Sequence, residues 1–135
     1  MRVTGRPDVF VSQSSSWVVD VMTRGGVWRN DRRGRLAHVD GSEVREDGSR
    51  VDAEVALDIN GDGRLDVAII DGSGEPRDRT MRLVVSLGNG DGTFRVGPIV
   101  HLAPETSGLA VMNGTLVVTA NDHIARVPSR CLRPR

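Results

Sequence analysis

The chain has 135 residues, with 18 basic and 18 acidic side chains and a net charge of zero. That length fits one domain of ordinary size, and neutrality argues against bulk steering toward nucleic acid or an anionic membrane. No apolar run approaches the roughly 18 residues of a membrane-spanning helix. The single cysteine, Cys131, allows neither an internal disulfide nor a cysteine-built zinc site.

Every basic residue is Arg, and the acids divide into 13 Asp and 5 Glu alongside 16 Gly. Asp and Gly favour turns and are poor in helix interiors, so the composition predicts short strands joined by tight turns. Apolar runs occur at Val9–Val11, Trp17–Met22, Val55–Leu57, Val67–Ile70, Leu83–Leu87, Ile99–Leu102, Leu109–Met112, Leu116–Thr119 and Ile124–Val127. Gly, Asn, Asp or Ser separates most of them, the pattern of an all-β chain. Residues 29–54 carry only scattered apolar positions and read as a long loop or weak edge strands.

Short blocks also recur in order. Gly5-Arg6-Pro7-Asp8-Val9 matches Gly63-Arg64-Leu65-Asp66-Val67 at an offset of 58. Trp17-Val18-Val19 matches Leu83-Val84-Val85, and Gly26-Val27-Trp28-Arg29 matches Gly92-Thr93-Phe94-Arg95, both at an offset of 66. Ordered matches of this kind predict an internal repeat of about 58 residues with one insertion near Asp71–Arg82.

The strongest chemical motif is Asp58-Ile59-Asn60-Gly61-Asp62-Gly63-Arg64-Leu65-Asp66. Oxygen side chains stand at its first, third, fifth and ninth positions, and two glycines supply tight bends. Calcium takes about six to eight oxygen ligands in a flexible shell. Asp58, Asn60, Asp62 and Asp66, with the main-chain carbonyl of Arg64, could supply five of them. Magnesium demands a stricter octahedron, and zinc prefers the Cys and His that this loop lacks. The loop is not an EF-hand, because its twelfth position is Ile69 rather than Glu and an apolar strand follows.

The calcium-type loop, the strand after it, and the later Leu87-Gly88-Asn89-Gly90-Asp91-Gly92-Thr93-Phe94 together resemble an FG-GAP/VCBS-type repeat, as in the β-propellers of integrin alpha subunits and many secreted bacterial proteins. The match covers residues 55–98, and residues 5–28 are a degenerate copy. The resemblance implies Ca2+ ligation by Asp58, Asn60, Asp62, Arg64 (through its carbonyl) and Asp66. It also implies packing of Phe94, and by repetition Trp28, between blades. In the earlier copy only Asp8 keeps a ligand type, with Arg2 and Thr4 at earlier ligand positions, so no working first site is expected. Asn89 and Asp91 read as a hairpin turn rather than a second metal loop, since Asn-Gly and Asp-Gly favour positive φ.

The resulting expectation is a partial β-propeller of about two four-stranded antiparallel blades. Residues 1–54 would form a truncated first blade, 55–103 the calcium-loop repeat, and 104–135 a further partial blade with an Arg/Pro-rich tail. Propellers close with four to eight blades, so the chain reads as a fragment of a larger protein whose unpaired blade edges invite self-association. No apolar leader follows Met1, whereas the resemblance implies an extracellular or cell-surface parent.

Other signals are weaker. His38, His101 and His123 lie far apart without partners in sequence. Ser14-Ser15-Ser16 lacks a nucleophile-elbow pattern. Cys131 reads as an exposed thiol in the tail. Asn113-Gly114-Thr115 fits a glycosylation sequon but is first a turn signal. Arg24, Arg29, Arg32, Arg33 and Arg35 form a basic stretch with Trp28 as its only aromatic, which reads as a solvated loop rather than a nucleic-acid surface. No catalytic residue or organic cofactor site stands out. The functional expectation is a non-enzymatic, calcium-binding module for adhesion or for a protein or glycan ligand. The alternative is an accessory domain of a secreted hydrolase or lyase whose catalytic domain lies outside this chain.

Overall fold

The computed structural model describes residues 8–11, 26–43, 50–73 and 80–132. Its strands are β1 (Val9–Val11), β2 (Gly26–Asn30), β3 (Leu36–His38), β4 (Arg50–Leu57), β5 (Asp66–Ser73), β6 (Thr80–Gly88), β7 (Phe94–Leu102), β8 (Thr106–Met112), β9 (Thr115–Ala120) and β10 (His123–Arg126). A short 3-10 turn, Ser129–Leu132, follows. The chain is all-β, and no α-helix occurs among the described residues.

The strands form three antiparallel sheets, in the orders β1-β2-β3, β4-β5-β6-β7 and β10-β9-β8, and none closes on itself. Where two four-stranded blades are expected from sequence, the described residues show one four-stranded sheet and two three-stranded ones. β4 begins at Arg50, so the central sheet starts inside the segment assigned above to the first blade. The expected strand at Trp17–Met22 lies outside the described residues.

The central sheet explains why its sequence reads as nearly continuous apolar runs. Side chains alternate between faces along a strand, and both faces of β5 and β6 are covered. Ala68, Ile70, Leu83, Val85 and Leu87 point one way and join Leu116, Val118, Val127 and Leu132 in a single buried cluster with the third sheet. Val67, Ile69 and Val84 are equally buried on the opposite face. Burying one such side chain is worth about 1.5–3 kcal/mol, so this double-faced packing makes the central sheet the stable frame from which the turns project.

One ion pair lies within that frame. Asp71 and Arg82 are directly opposed across β5 and β6, with Nη2 to Oδ2 at 2.9 Å and the carboxylate almost fully buried. Pairing is what makes such a burial tolerable.

The edge strand β7 takes a bulge opposite Val84–Ser86. A Cβ on Gly97 would stand 2.6 Å from the Val85 carbonyl oxygen, so only glycine fits there. The adjacent Pro98 has no N–H to give a ladder, and edge bulges are where proline is tolerated.

The strand pairing does not follow the sequence repeat. Val9 and Trp28 are direct partners in β1 and β2. Their matched positions, Val67 and Phe94, lie on β5 and β7, which β6 separates.

Candidate metal loop

β4 and β5 pair as far as Leu57 opposite Asp66, and residues 58–65 form the connecting turn. Leu57 and Ile59 pack against the buried cluster, which anchors the near side of the turn. Asp58 then curls the chain around its own carboxylate. Its Oδ1 accepts N–H bonds from Gly61 (2.8 Å) and Asp62 (3.1 Å), and its Oδ2 accepts from Gly63 (2.8 Å). Gly61 and Gly63 sit at φ of 77° and 81°, a left-handed conformation costly for residues with a Cβ.

The next side chains repeat the motif on a smaller scale. Asn60 Oδ1 accepts from the Asp62 N–H, Asp62 Oδ1 accepts from the Arg64 N–H, and Asn60 Nδ2 donates to Asp62 Oδ2. The Arg64 N–H is the main reason the Asp62 carboxyl is held below the usual aspartate range. An ionised Asp62 suits ligation, because only the carboxylate form binds a hard cation well.

Asp66 differs from the other three. It is fully buried at the start of β5. Its Oδ2 accepts from Ile59 N–H (2.9 Å) and its Oδ1 from Gly88 N–H (2.8 Å). It therefore ties the 58–65 turn to the end of β6, a role the sequence reading missed. The available signal was its position between Leu65 and Val67, at the start of an apolar run. Asp8, its counterpart in the proposed earlier copy, likewise accepts a strand N–H, from Asn30 at 3.2 Å. Arg2 and Thr4 lie outside the described residues.

The four side chains thus share one loop, but among the described residues no group of three His, Cys, Asp or Glu stands close enough to hold an ion as placed. The carboxylates are drawn inward onto backbone N–H groups instead. The donor set itself fits a hard cation. It is all oxygen, it lies on a short turn, and each carboxylate oxygen that accepts one N–H keeps a second lone pair.

The neighbouring β6–β7 turn meets the expectation of a hairpin. Asn89 N–H donates to the Thr93 carbonyl (3.0 Å), and Asp91 Oδ1 accepts from the Thr93 N–H. The Thr93 hydroxyl, with that N–H, holds the Asp91 carboxyl low. Gly90 and Gly92 take positive φ. Arg95 leans over this turn, donating to the Gly88 carbonyl and to Asn89 Oδ1. It lies 3.9 Å from Asp62 Oδ2.

The aromatics divide. Phe94 meets Phe10 edge-on at 6.1 Å, joining the central and first sheets. Trp28 packs on His38, its cross-strand partner, at 5.1 Å. The ring contact of Trp28 is thus within its own sheet, whereas that of Phe94 joins two sheets. Cys131 is half-buried in the final 3-10 turn rather than exposed, because it packs with Leu132 against the core. His101 and His123 are exposed. Asn113, at φ 50°, and Gly114 form the exposed β8–β9 turn. Ser14-Ser15-Ser16 falls outside the described residues. No helix among the described residues is long and apolar enough to cross a membrane.

No family model matches this chain, and no curated protein or solved structure shows significant similarity to it.

Proposed function

We propose that residues 58–66 form a calcium-binding loop and that the chain is a non-catalytic, calcium-stabilised module of a secreted or surface protein, related to propeller blades of the FG-GAP/VCBS kind. The observation that carries this reading is the turn itself. Asp58, Asn60 and Asp62 alternate along a segment bent by two left-handed glycines, and Asp66 closes its base. A calcium ion would supply the positive charge that gathers these carboxylates. Asp58, Asn60 and Asp62 would offer side-chain oxygens from the turn, Arg64 its carbonyl, and Asp66 an oxygen from below.

The role is structural. Protein oxygens would fill most of the shell, leaving little of the ion open to a substrate. The packed sequence of separate antiparallel sheets is compatible with neighbouring propeller blades, and adhesion or ligand binding is the use such a scaffold serves. Calorimetric titration of the full chain with calcium chloride, then with magnesium chloride, tests the proposal. One site per chain that prefers calcium and disappears in Asp62→Ala supports it. The absence of a calcium heat, or equal affinity for magnesium, rejects it.

A further inference from the structure

Three turns meet at one end of the sheets. Arg29 of β2 donates from Nη2 to the Asp91 carbonyl at 2.6 Å, and a Cβ on Gly92 would stand 3.2 Å from Val39. These contacts place the β2–β3 hairpin against the β6–β7 turn. On the other side, the Arg64 side chain lies 3.4 Å from the Cβ position of Gly90, and Arg95 approaches Asp62. The 58–65 turn therefore borders the same surface.

Acids and cations share this surface: Asp40 and Asp62 are exposed on it, whereas other carboxylates are bound to backbone N–H groups. Asp31 Oδ1 accepts from the Arg33 and Arg35 N–H groups at 2.8 and 3.0 Å. Asp58 and Asp91 are likewise folded onto backbone N–H groups of their own turns. Arg32, Arg33 and Arg35 are exposed, and their guanidinium groups have no partner among the described residues. The backbone beneath them is fixed. Asp31 N–H donates to the Arg35 carbonyl, Asn30 Oδ1 accepts from the Arg32 N–H, and Arg32 and Gly34 hold positive φ. The backbone share of the ordering cost is thus met before any ligand arrives, while the three side chains are ordered only on binding.

We infer that this turn end is a docking surface for an anionic polysaccharide, a glycan chain bearing sulfate or carboxylate groups. Guanidinium forks match such oxyanions in bidentate fashion. Set within four residues of the single turn between β2 and β3, the three cations suit a segment of glycan whose sulfate or carboxylate groups are closely spaced. Single-stranded nucleic acid fits less well, because its binding relies on aromatic stacking. Trp28 is engaged with His38, and Phe94 with Phe10. The chain as a whole is neutral, so the attraction is local and short-ranged in salt.

The test is binding of the full chain to immobilised heparin in EDTA, which separates this surface from the cation loop. The variant combines Arg32→Asn, Arg33→Gln and Arg35→Gln; asparagine is chosen at Arg32 because it tolerates the left-handed conformation. Thermal unfolding of this variant checks that it stays folded. The surface predicts heparin binding that weakens as salt rises, falls at least about tenfold in the folded triple variant, and is absent for uncharged dextran. Three outcomes would overturn it: no heparin binding by the parent chain, unchanged binding by the folded variant, or equally tight binding of single-stranded DNA of matched charge.

Discussion

The tetrapeptide Asn-Gly-Asp-Gly occurs twice, at residues 60–63 and 89–92, and the two copies fold differently. The first lies in a curled turn between β4 and β5; the second closes a short hairpin between β6 and β7. The difference comes from the flanks. Two residues before the first copy stands Asp58, which gathers three N–H groups around itself. The equivalent residue before the second is Leu87, a buried core side chain that keeps β6 in its ladder. Three residues after the first copy stands Asp66; after the second stands Arg95. One turn therefore collects carboxylates, while the other carries its own guanidinium. A shared polar core does not fix the shape of a turn; its flanking residues do.

The comparison breaks most severely at Asp66, whose two oxygens serve both turns. Asp66→Ala would leave the N–H groups of Ile59 and Gly88 without their acceptor, and each unsatisfied buried donor costs about 1–3 kcal/mol. A total loss of about 2–5 kcal/mol in urea unfolding is expected. Asp66→Asn, which keeps one acceptor oxygen, should recover part of it. Equal stability of the alanine variant and the parent would deny Asp66 its tying role.

Asp58→Ala separates the turns more selectively. Calcium at about 100 times its dissociation constant stabilises a one-site protein by roughly 2.7 kcal/mol, and this variant should lose that increment while retaining the β6–β7 hairpin. Backbone amide exchange at Asn89, whose N–H donates to the Thr93 carbonyl, would report the hairpin. A retained calcium response would remove Asp58 from the site.

Gly61→Ala and Gly63→Ala probe the bend alone. Each forces a Cβ into the left-handed region, at about 1–2 kcal/mol, although a Cβ at either position meets no neighbouring atom within 4 Å. Both variants should also bind calcium more weakly. Unchanged stability and affinity would mean that the turn is not held in this conformation.

Acidification tests the charge of both turns. Asp62 and Asp91 have carboxyl groups held below the ordinary aspartate value near 3.8, Asp62 chiefly by the Arg64 N–H and Asp91 chiefly by Thr93. Their folded forms bind protons less readily than the unfolded chain. Their contribution is therefore complete above that ordinary value and disappears as pH falls through their lowered ones. Asp91→Asn should therefore be slightly less stable than the parent near neutrality, with the difference closing as pH falls, so that its acid loss of stability is flatter. An identical pH profile in the variant would contradict the assigned hydrogen bonds.

Much of this fold is legible in the residues. β5 and β6 announce themselves because burial on both faces demands unbroken apolar runs, and Asn89-Gly90 correctly marks a hairpin. β3 is not legible, since Leu36-Ala37-His38 is short and mostly exposed, and its pairing with β2 supplies what its composition does not. The first half of β4 is hidden for a related reason, as Arg and Asp interrupt its alternation. For the site, the spacing of Asp58, Asn60 and Asp62 foretells a shared turn. It does not foretell that Asp66 points inward to a second turn, because the position of Gly88 depends on the register of β6 against β5.

The most direct test of the account is thermal unfolding of the full chain in EDTA, in millimolar calcium and in millimolar magnesium. The loop predicts a cooperative transition that calcium raises by several degrees and magnesium raises much less, with the calcium increment abolished in Asp58→Ala. A cooperative transition at the same temperature in all three buffers would contradict the calcium loop and leave residues 58–66 as a turn held together by its own hydrogen bonds.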